Sequence, residues 1–357
     1  MNNYQLSSVH ETNLTNQNGV YQDSLLTYAA DRSGRFWALL GHTNLGGISV
    51  WSGSSLLDLK KEYDAQYCFA LGEAGQAFSG IPYPDGPLSR GQIWPCGLWI
   101  NKETNRFYCL IHNETGWGAG KTSYTARAQE EGEPDFRHIG MMTSDDCGRT
   151  WRFFGWILTA QEPCWTSRFS PGMNQPGQTG DEICLGCGDF SVFPNPHDGY
   201  LYLFYTKHFT NLERSEAVAD AVYLARCRLD ELEDVTAWRK YTGNGFTEPG
   251  NCGRDVPVLT GGAIPSVCKD PAHDRFVMST YNRDAWQNGL CTCQLSFSED
   301  LLHWTKPEHI AVKRADVSNP YLTLYPEGTS FRVFMSANGT DIRWYTLTLN
   351  EGKTKHI

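Results

Sequence analysis

The chain has 357 residues, of which 30 are Lys or Arg and 40 are Asp or Glu, so its formal net charge is −10. This balance argues against nucleic acid or an anionic membrane as a partner, because both require a basic face. Aromatic residues make up 13% and charged residues 20% of the chain, which excludes wholesale disorder. No apolar run reaches the ~18 residues that a membrane helix needs.

The N-terminus lacks the basic and apolar segments of a signal peptide. Several of the twelve cysteines lie in apolar, strand-like runs, as Cys109 does. A thiol in such a run usually acts as a small buried hydrophobe. We therefore expect reduced cysteines and a cytoplasmic protein, whereas earlier removal of an export signal would imply secretion.

One pattern recurs five times along the chain: a short apolar strand, a polar turn and a second strand. The turns are rich in Gly, Pro, Asn and Asp, which favour turns through their backbone conformations and local hydrogen bonds. The five copies open near residues 23, 95, 189, 265 and 320. A third strand follows each pair, near residues 48, 139, 221, 294 and 342, and an edge-like fourth strand such as residues 151–154 comes next.

Repeats of four short strands are the signature of a β-propeller. The sequence therefore predicts an all-β fold, a single domain over residues 1–357 with five blades of four antiparallel strands. Little sequence remains after Leu349 for the last outer strand, so we expect residues 4–6 to supply it. The only helix we expect lies around residues 212–221.

Two turns between third and fourth strands fit known hairpin motifs. Residues 144–151 read Ser-x-Asp-x-Gly-x-Thr-Trp, the Asp-box, and residues 298–304 read Ser-x-Asp-Leu-x-x-Trp. The Asp caps backbone N–H groups and the Gly takes a left-handed angle. These motifs indicate the fold and not the chemistry, because one propeller can host many functions.

Two blade openings carry a carboxylate, Asp23 and Asp189. The innermost strands of a propeller line a central funnel, so these side chains are expected to meet at its mouth. The alternative is that each Asp caps a turn. Two carboxylates across a sugar ring are what glycoside hydrolysis requires, since one protonates the leaving oxygen and the other attacks the anomeric carbon or activates water.

The whole chain resembles the five-bladed propeller glycoside hydrolases that act on furanosides: arabinanases, arabinofuranosidases and fructan hydrolases. The resemblance implies that Asp23 is the nucleophile or base and Asp189 the proton donor. The family's second-blade Asp is replaced here by Pro95 and Cys96, and the third-blade acid, usually Glu, is Asp189.

Within that group the chain is most similar to the endo-D-arabinanase-type family. That family has Gly-Asp-Thr where residues 41–43 read Gly-His-Thr, and a Glu before its fourth-blade Ser-Val where residues 264–265 read Ile-Pro. The matching stretches are residues 19–23, 139–151, 222–226, 238–243 and 266–267.

Other acids could take part in the chemistry. Glu182, just before the third blade, is a reserve candidate for the proton donor. Glu114, which ends the second strand of blade two, and Asp255, which precedes the fourth blade, are expected to bind the substrate. The alternative for each of the three is a solvated loop acid.

Further residues could bind a sugar. His42 and His112 end equivalent second strands and could hydrogen-bond hydroxyls, or they could be structural. Trp94 and Trp117 lie in or beside long insertions, where their rings could stack on the apolar faces of sugars; the alternative is packing between blades. Arg254 could hold a hydroxyl or a carboxylate.

The function we expect is hydrolysis of an oligosaccharide or polysaccharide that contains furanose or a related sugar. A sialidase-like hydrolase is an alternative suggested by the Asp-box, but no Arg opens a blade to clamp a carboxylate. A non-catalytic carbohydrate-binding propeller is another. We expect no metal, because the pair Cys184 and Cys187 lacks a well-spaced second pair, and no nucleotide cofactor, because no phosphate-binding fingerprint occurs.

Overall fold

The computed structural model describes residues 4–14, 22–69, 81–84, 89, 91–115, 136–161, 182–211, 216–217, 221–282, 293–310, 321–337 and 341–349, with the backbone alone at 182–183, 210–211, 216–217 and 337. All regular structure in these ranges except for turns is β-strand, so the protein is all-β as predicted. In the same ranges, no helix is long and apolar enough to cross a membrane, and the cysteines are free thiols.

Most strands are short. Many of them either alternate between buried and more exposed residues or are buried on both faces. In chain order they are β1 (Tyr4–Leu6), β2 (His10–Glu11), β3 (Thr27–Ala30), β4 (Phe36–His42), β5 (Gly47–Gly53), β6 (Lys60–Asp64), β7 (Gln66–Tyr67), β8 (Gln92–Ile100), β9 (Phe107–Glu114), β10 (Arg137–Ser144), β11 (Thr150–Leu158), β12 (Glu182–Asn195), β13 (Tyr200–Asn211), β14 (Glu216–Ala217), β15 (Ala221–Arg228), β16 (Arg239–Tyr241), β17 (Phe246–Pro249), β18 (Leu259–Thr260), β19 (Ala263–Lys269), β20 (Phe276–Tyr281), β21 (Cys293–Ser298), β22 (Glu308–Ile310), β23 (Leu322–Glu327), β24 (Ser330–Ala337) and β25 (Asp341–Leu349).

Antiparallel pairing groups most of these strands into five successive sets of four, which we call units one to five. They are β3-β4-β5-β6, β8-β9-β10-β11, β12-β13-β15-β16, β19-β20-β21-β22 and β23-β24-β25-β1. A single parallel bridge between Arg137 and Gly186 joins units two and three. Pairing of Tyr4 with Leu349 confirms the expectation that the N-terminal segment supplies the outer strand of the last set.

A hydrogen bond near the start of the first strands links each unit to the next, and another links unit five to unit one. The bonds run from Thr27 Oγ1 to Pro95 O (2.8 Å), from Asp189 N to His112 Nδ1 (2.8 Å), from Ile264 N to Thr206 Oγ1 (2.9 Å), from Leu324 N to Ser266 Oγ (3.0 Å) and from Leu26 N to Thr323 Oγ1 (2.8 Å). The first strands of all five units line one cavity of about 750 Å³.

The hairpin turn at residues 144–151 is held by its own side chains. Ser144 Oγ donates to Asp146 and accepts the Gly148 N–H, and the Thr150 N–H donates to Asp146 at 2.8 Å. Gly148 has φ of 84°, which favours glycine. Trp151 follows the turn and is completely buried.

The expected helix around residues 212–221 is wrong where the chain is described. Residues 216–217 form β14 and pair with β13, and Ala221 begins β15. The residues from Val222 to Ala225 are buried in succession and pair with β13, so strand pairing overrides local helix propensity.

The pairing of β1 with β25 yields a stability prediction. Leu6 lies opposite Leu347 and packs into the apolar cluster of units four and five. Leu6→Asp should lower the free energy of unfolding by about 2 kcal/mol, because apolar burial is lost and a charge is placed at the cluster. Gln5→Asp, on the exposed face of β1, should change it little. Equal effects of the two variants in denaturant titrations would contradict this pairing.

Candidate active site

Asp23 lies just before β3, at the opening of unit one, and is half-buried. The buried amide of Gln22 fixes the backbone around it. Its Nε2 donates to the carbonyls of Ser24 and Leu25 at 3.0 and 2.9 Å, and its Oε1 accepts the Gly41 N–H at 3.2 Å. Asp23 therefore lies in a turn whose backbone is held by the hydrogen bonds of Gln22.

Asp189 lies in the middle of β12, the first strand of unit three. The register with β13 shifts between Gly188 and Ser191, and Asp189 has φ of 41°, a left-handed conformation that Asp tolerates better than most residues. Such bulges turn a side chain out of the regular alternation. The carboxylate accepts a hydrogen bond from Tyr321 Oη at 3.4 Å and lies 3.4 Å from His208 Nε2.

Unit two contributes three groups to the same place. Arg137, the first residue of β10, lies directly opposite Glu114 at the end of β9. Glu114 Oε1 lies 3.0 Å from Arg137 Nε and 3.2 Å from His112 Nε2. The other ring nitrogen of His112, Nδ1, accepts the Asp189 N–H. A chain of contacts thus runs from Arg137 through Glu114 and His112 to Asp189.

Burial and charge separate the behaviour of the three carboxyl groups. Burial, with the charges of Glu114 and Asp189, raises the pKa of Asp23 to about 6. Burial also raises the pKa of Asp189, although His112 opposes the shift. Burial disfavours the charge of Glu114 as well, but Arg137 and His112 outweigh it and hold its pKa well below the usual range. Glu114 is therefore the permanent anion, and Asp23 and Asp189 can hold a proton.

His112 is held between opposing influences. Burial disfavours its charged form, whereas Glu114 and Asp189 favour it and raise the pKa of the ring. The hydrogen bond from the Asp189 N–H requires an unprotonated Nδ1, which only a neutral ring offers. Glu114 at Nε2 selects the tautomer that carries its proton on that nitrogen.

His42 and Trp94 stack on each other, with ring centroids 5.0 Å apart, and Trp94 lies 5.9 Å from the His112 ring. Both side chains are buried. Burial lowers the pKa of His42 to about 4. The pair forms a neutral aromatic wall behind His112, and a direct contact of either ring with sugar stays a prediction.

The structure does not support the expected sugar contact of Asp255. Its side chain is 1% exposed and lies 2.6 Å from Lys207 Nζ and 3.4 Å from Lys240 Nζ. It also accepts the Tyr205 hydroxyl at 2.6 Å. Two lysines and a tyrosine fill its hydrogen-bonding capacity, so Asp255 is a buried structural anion.

Of the remaining predicted residues, only Arg254 has a described side chain. Arg254 is exposed and pairs with Glu248 at 3.1 Å, so its sugar contact stays a prediction. Trp117 and the side chain of Glu182 lie outside the described residues.

Sequence reasoning missed Tyr321, His208 and Arg137. Tyr321 lies directly before β23 and beside the predicted opening at Pro320, but its hydroxyl was not considered as a site group. His208 lies near the end of the second strand of unit three, as His42 and His112 do in units one and two, and that equivalence could have found it. Arg137 depends on strand register, which no local pattern gives. Among the described residues, no group of three or more His, Cys, Asp or Glu is arranged to hold a metal ion.

No protein-family model and no curated protein matches the sequence. Solved structures do match in fold. An exo-β-1,3-galactanase from Phanerochaete chrysosporium, solved with galactose, gives a TM-score of 0.53 at 12% identity, over 95% of this chain and 64% of that one. A family 117 glycoside hydrolase from the marine bacterium Zobellia galactanivorans gives 0.51 at 10% identity, over 97% and 90%. An exo-β-1,3-galactanase from Clostridium thermocellum gives 0.50 at 12% identity, over 96% and 62%.

The likeness covers nearly all of this chain but less than two thirds of either galactanase. At these identities the comparison establishes a shared fold. The chain is built like structures of glycoside hydrolases.

The raised pKa of Asp23 predicts a pH-dependent stability. The folded carboxyl titrates near 6 and the unfolded one near 3.8, so the folded state binds the proton more tightly and loses stability as the pH rises through this window. Asp23→Asn should therefore stabilise the protein by about 2 to 3 kcal/mol at pH 7.5 and hardly at all at pH 4. Unfolding titrations at both pH values measure this. Asp64→Asn, at an exposed position, is the control; a gain for Asp23→Asn that does not depend on pH would contradict the shift.

The adjacent residues Asp255 and Arg254 provide a second test. Asp255→Asn should lower the free energy of unfolding by about 3–5 kcal/mol, because Lys207 and Lys240 lose their buried counter-charge. Arg254→Ala should change it by about 0.5 kcal/mol or less, since its ion pair is exposed. Denaturant titrations compare the two, and a small loss for Asp255→Asn would contradict the structural role.

Proposed function

We propose that the protein is a glycoside hydrolase whose reaction takes place between Asp23 and Asp189. The observation that carries the proposal is electrostatic: Asp23 and Asp189, on different units and far apart in sequence, are close enough that the charge of one raises the pKa of the other. General acid catalysis at a glycosidic bond requires a pair of carboxyl groups, one of which carries a proton.

The scaffold of the proposal is a single five-bladed propeller. Units one to five would be the blades, and the hydrogen bonds that link each unit to the next, and unit five to unit one, support a closed ring. The shared fold with glycoside hydrolases supports the same arrangement. In this ring Asp23 and Asp189 open the first and third blades and face a common funnel.

The roles follow from the surroundings of each group. Asp189, protonated, donates its proton to the glycosidic oxygen as the bond to the leaving sugar breaks. Asp23, ionised, attacks the anomeric carbon or takes a proton from the water that does so. Tyr321 hydrogen-bonds the Asp189 carboxyl and limits its orientation.

Glu114 is a further acid in unit two. It lies on the second strand of that unit, whereas Pro95 and Cys96 lie on the first. Its charge disfavours ionisation of both aspartates. This keeps a proton available on the Asp23–Asp189 pair at mildly acidic pH, so the titration belongs to the pair as a whole. We assign Glu114 to this tuning role and not to proton transfer.

The substrate we propose is an oligosaccharide or polysaccharide that contains furanose or a related sugar, as the sequence resemblance suggests. Two solved structures of the same fold are named exo-β-1,3-galactanases, so galactans belong among the candidates. A sialidase-like activity has less support, because Arg137 is committed to Glu114 and the described residues bring no second Arg to the cluster.

The test is a panel of arabinan, fructan and β-1,3-galactan oligosaccharides together with 4-nitrophenyl α-L-arabinofuranoside, followed by new reducing ends or released nitrophenol. Asp23→Asn and Asp189→Asn should each lower kcat by about 10²–10⁴-fold, while Asp64→Asn should retain activity. Wild-type turnover should also fall as the pH drops through about 6, where Asp23 becomes protonated.

Two outcomes would contradict the proposal. Unchanged hydrolysis by Asp23→Asn would remove its assigned role. Binding of a glycan by the wild type without release of reducing ends, across the whole panel, would favour a carbohydrate-binding propeller.

A further inference from the structure

The same type of hydrogen bond occurs at three of the boundaries between units. A main-chain N–H of the first strand of one unit donates to a side chain on or just after the second strand of the unit before it. The pairs are Ile93 N to Thr43 Oγ1 (2.9 Å), Asp189 N to His112 Nδ1 (2.8 Å) and Ile264 N to Thr206 Oγ1 (2.9 Å). Two acceptors are hydroxyls, and one is an imidazole.

This difference in acceptor has a chemical consequence. A threonine hydroxyl can accept a hydrogen bond at any pH, whereas Nδ1 of a histidine accepts only while it carries no proton. The imidazole occurs at the boundary that carries Asp189, the proposed proton donor. The position of Asp189 therefore depends on whether His112 Nδ1 carries a proton.

We infer that His112 is a positioning residue, which holds Asp189 through the hydrogen bond from its main-chain N–H to Nδ1 and does not bind the sugar itself. The inference rests on the proposed function for its catalytic meaning. The hydrogen bond holds Asp189 in its left-handed conformation at the bulge of β12. Without an acceptor for its N–H, that conformation would lose its support.

Packing fixes the ring that accepts this bond. His112 is 2% exposed. A Cβ atom added at Gly188 would lie 2.3 Å from His112 Cε1, so glycine is needed for the strand to approach the ring so closely. The ring thus lies flush against the residue before Asp189, and a rotation would need the strand to move.

The charges around the ring fix its tautomer. On the same strand Glu114 faces Nε2, and Arg137 of β10 keeps Glu114 ionised. From unit three, the carboxylate of Asp189 lies 3.6 Å from Nδ1, and His208 lies 3.4 Å from that carboxylate on its other oxygen. Asp23 faces the cluster from unit one.

The order of these groups gives His112 a defined task. The charge of Glu114, 3.2 Å from Nε2, favours a proton on that nitrogen and leaves Nδ1 to accept from the backbone of Asp189. Protonation of Nδ1 would replace that acceptor with a donor, which would release the N–H and draw the Asp189 carboxylate toward the ring. The positioning thus requires the neutral ring with its proton on Nε2.

The test uses the intact protein, uniformly labelled with 15N, and needs no substrate. We expect a coupling across the hydrogen bond between the 15N nuclei of Asp189 N and His112 Nδ1 at a pH above the raised pKa of His112, where the ring is neutral and carries its proton on Nε2. A proton on Nδ1, or the absence of this coupling in a spectrum that resolves both nuclei, would overturn the inference. This readout is independent of whether the protein hydrolyses any glycan.

Variants separate positioning from mere packing. His112→Asn keeps a side-chain acceptor near Nδ1, whereas His112→Phe fills similar space without one. With an oligosaccharide that the wild type hydrolyses, whose leaving sugar needs a proton, kcat should fall by roughly 10²-fold in His112→Phe, as expected for a misplaced acid, with a much smaller change in KM and partial recovery in His112→Asn. Thr43→Val removes the equivalent bond of unit one and should leave the Asp189 amide signal unshifted.

The outcomes of the two measurements are distinguishable. Wild-type kcat and an unaltered pH profile in folded His112→Phe would overturn the positioning role. A wild-type protein that turns over no member of the panel counts against the proposed function alone, and the coupling then decides whether His112 holds Asp189.

Discussion

The site depends on a balance between three carboxylates and the cations that allow them to lie together. Asp23, Glu114 and Asp189 lie in a largely buried region, where like charges repel more strongly than in water. Each charge therefore affects the pKa of its neighbours. Arg137 forms an ion pair with Glu114, and Glu114 also contacts His112. Burial, reinforced by the charge of Glu114, leaves the two aspartates with raised pKa values.

The fold provides that placement because each unit contributes a different end of a strand. Asp23 lies just before β3 and Asp189 in the middle of β12, and the end of β9 carries His112 and Glu114. Hydrogen bonds connect neighbouring units, and bulges in β8, β12 and β19 turn residues out of the regular alternation. The same bonds that hold the units together therefore also set the positions of the three carboxyl groups.

Much of the scaffold could be predicted from the sequence, because the signal for strands is local. Apolar runs, turn residues and the Asp-box spacing gave the order of the strands, and the shortage of chain after Leu349 gave the role of β1. Asp23 and Asp189 could be proposed as partners because an acidic residue at the opening of an apolar strand is unusual. The segment around residues 212–221, which was expected to be helical, is strand where it is described, since pairing with β13 prevails there.

The rest depends on contacts between distant parts of the chain. The ion pair of Glu114 with Arg137 follows from the register of β9 and β10, and no pattern in the sequence states that register. Asp255 looked like a loop acid because the two lysines that bury it come from β13 and β16. The bond between His112 and Asp189 joins two units, so it could be seen only once the strands were in place.

The most direct measurement is a crystal structure of the Asp189→Asn variant with an oligosaccharide bound. The account predicts that the glycosidic oxygen lies within hydrogen-bond distance of residue 189 and that Asp23 faces the anomeric carbon from the other side. A sugar bound away from these two residues, or Asp23 turned away from the bound ring, would contradict the proposed reaction even if every strand were in the position described.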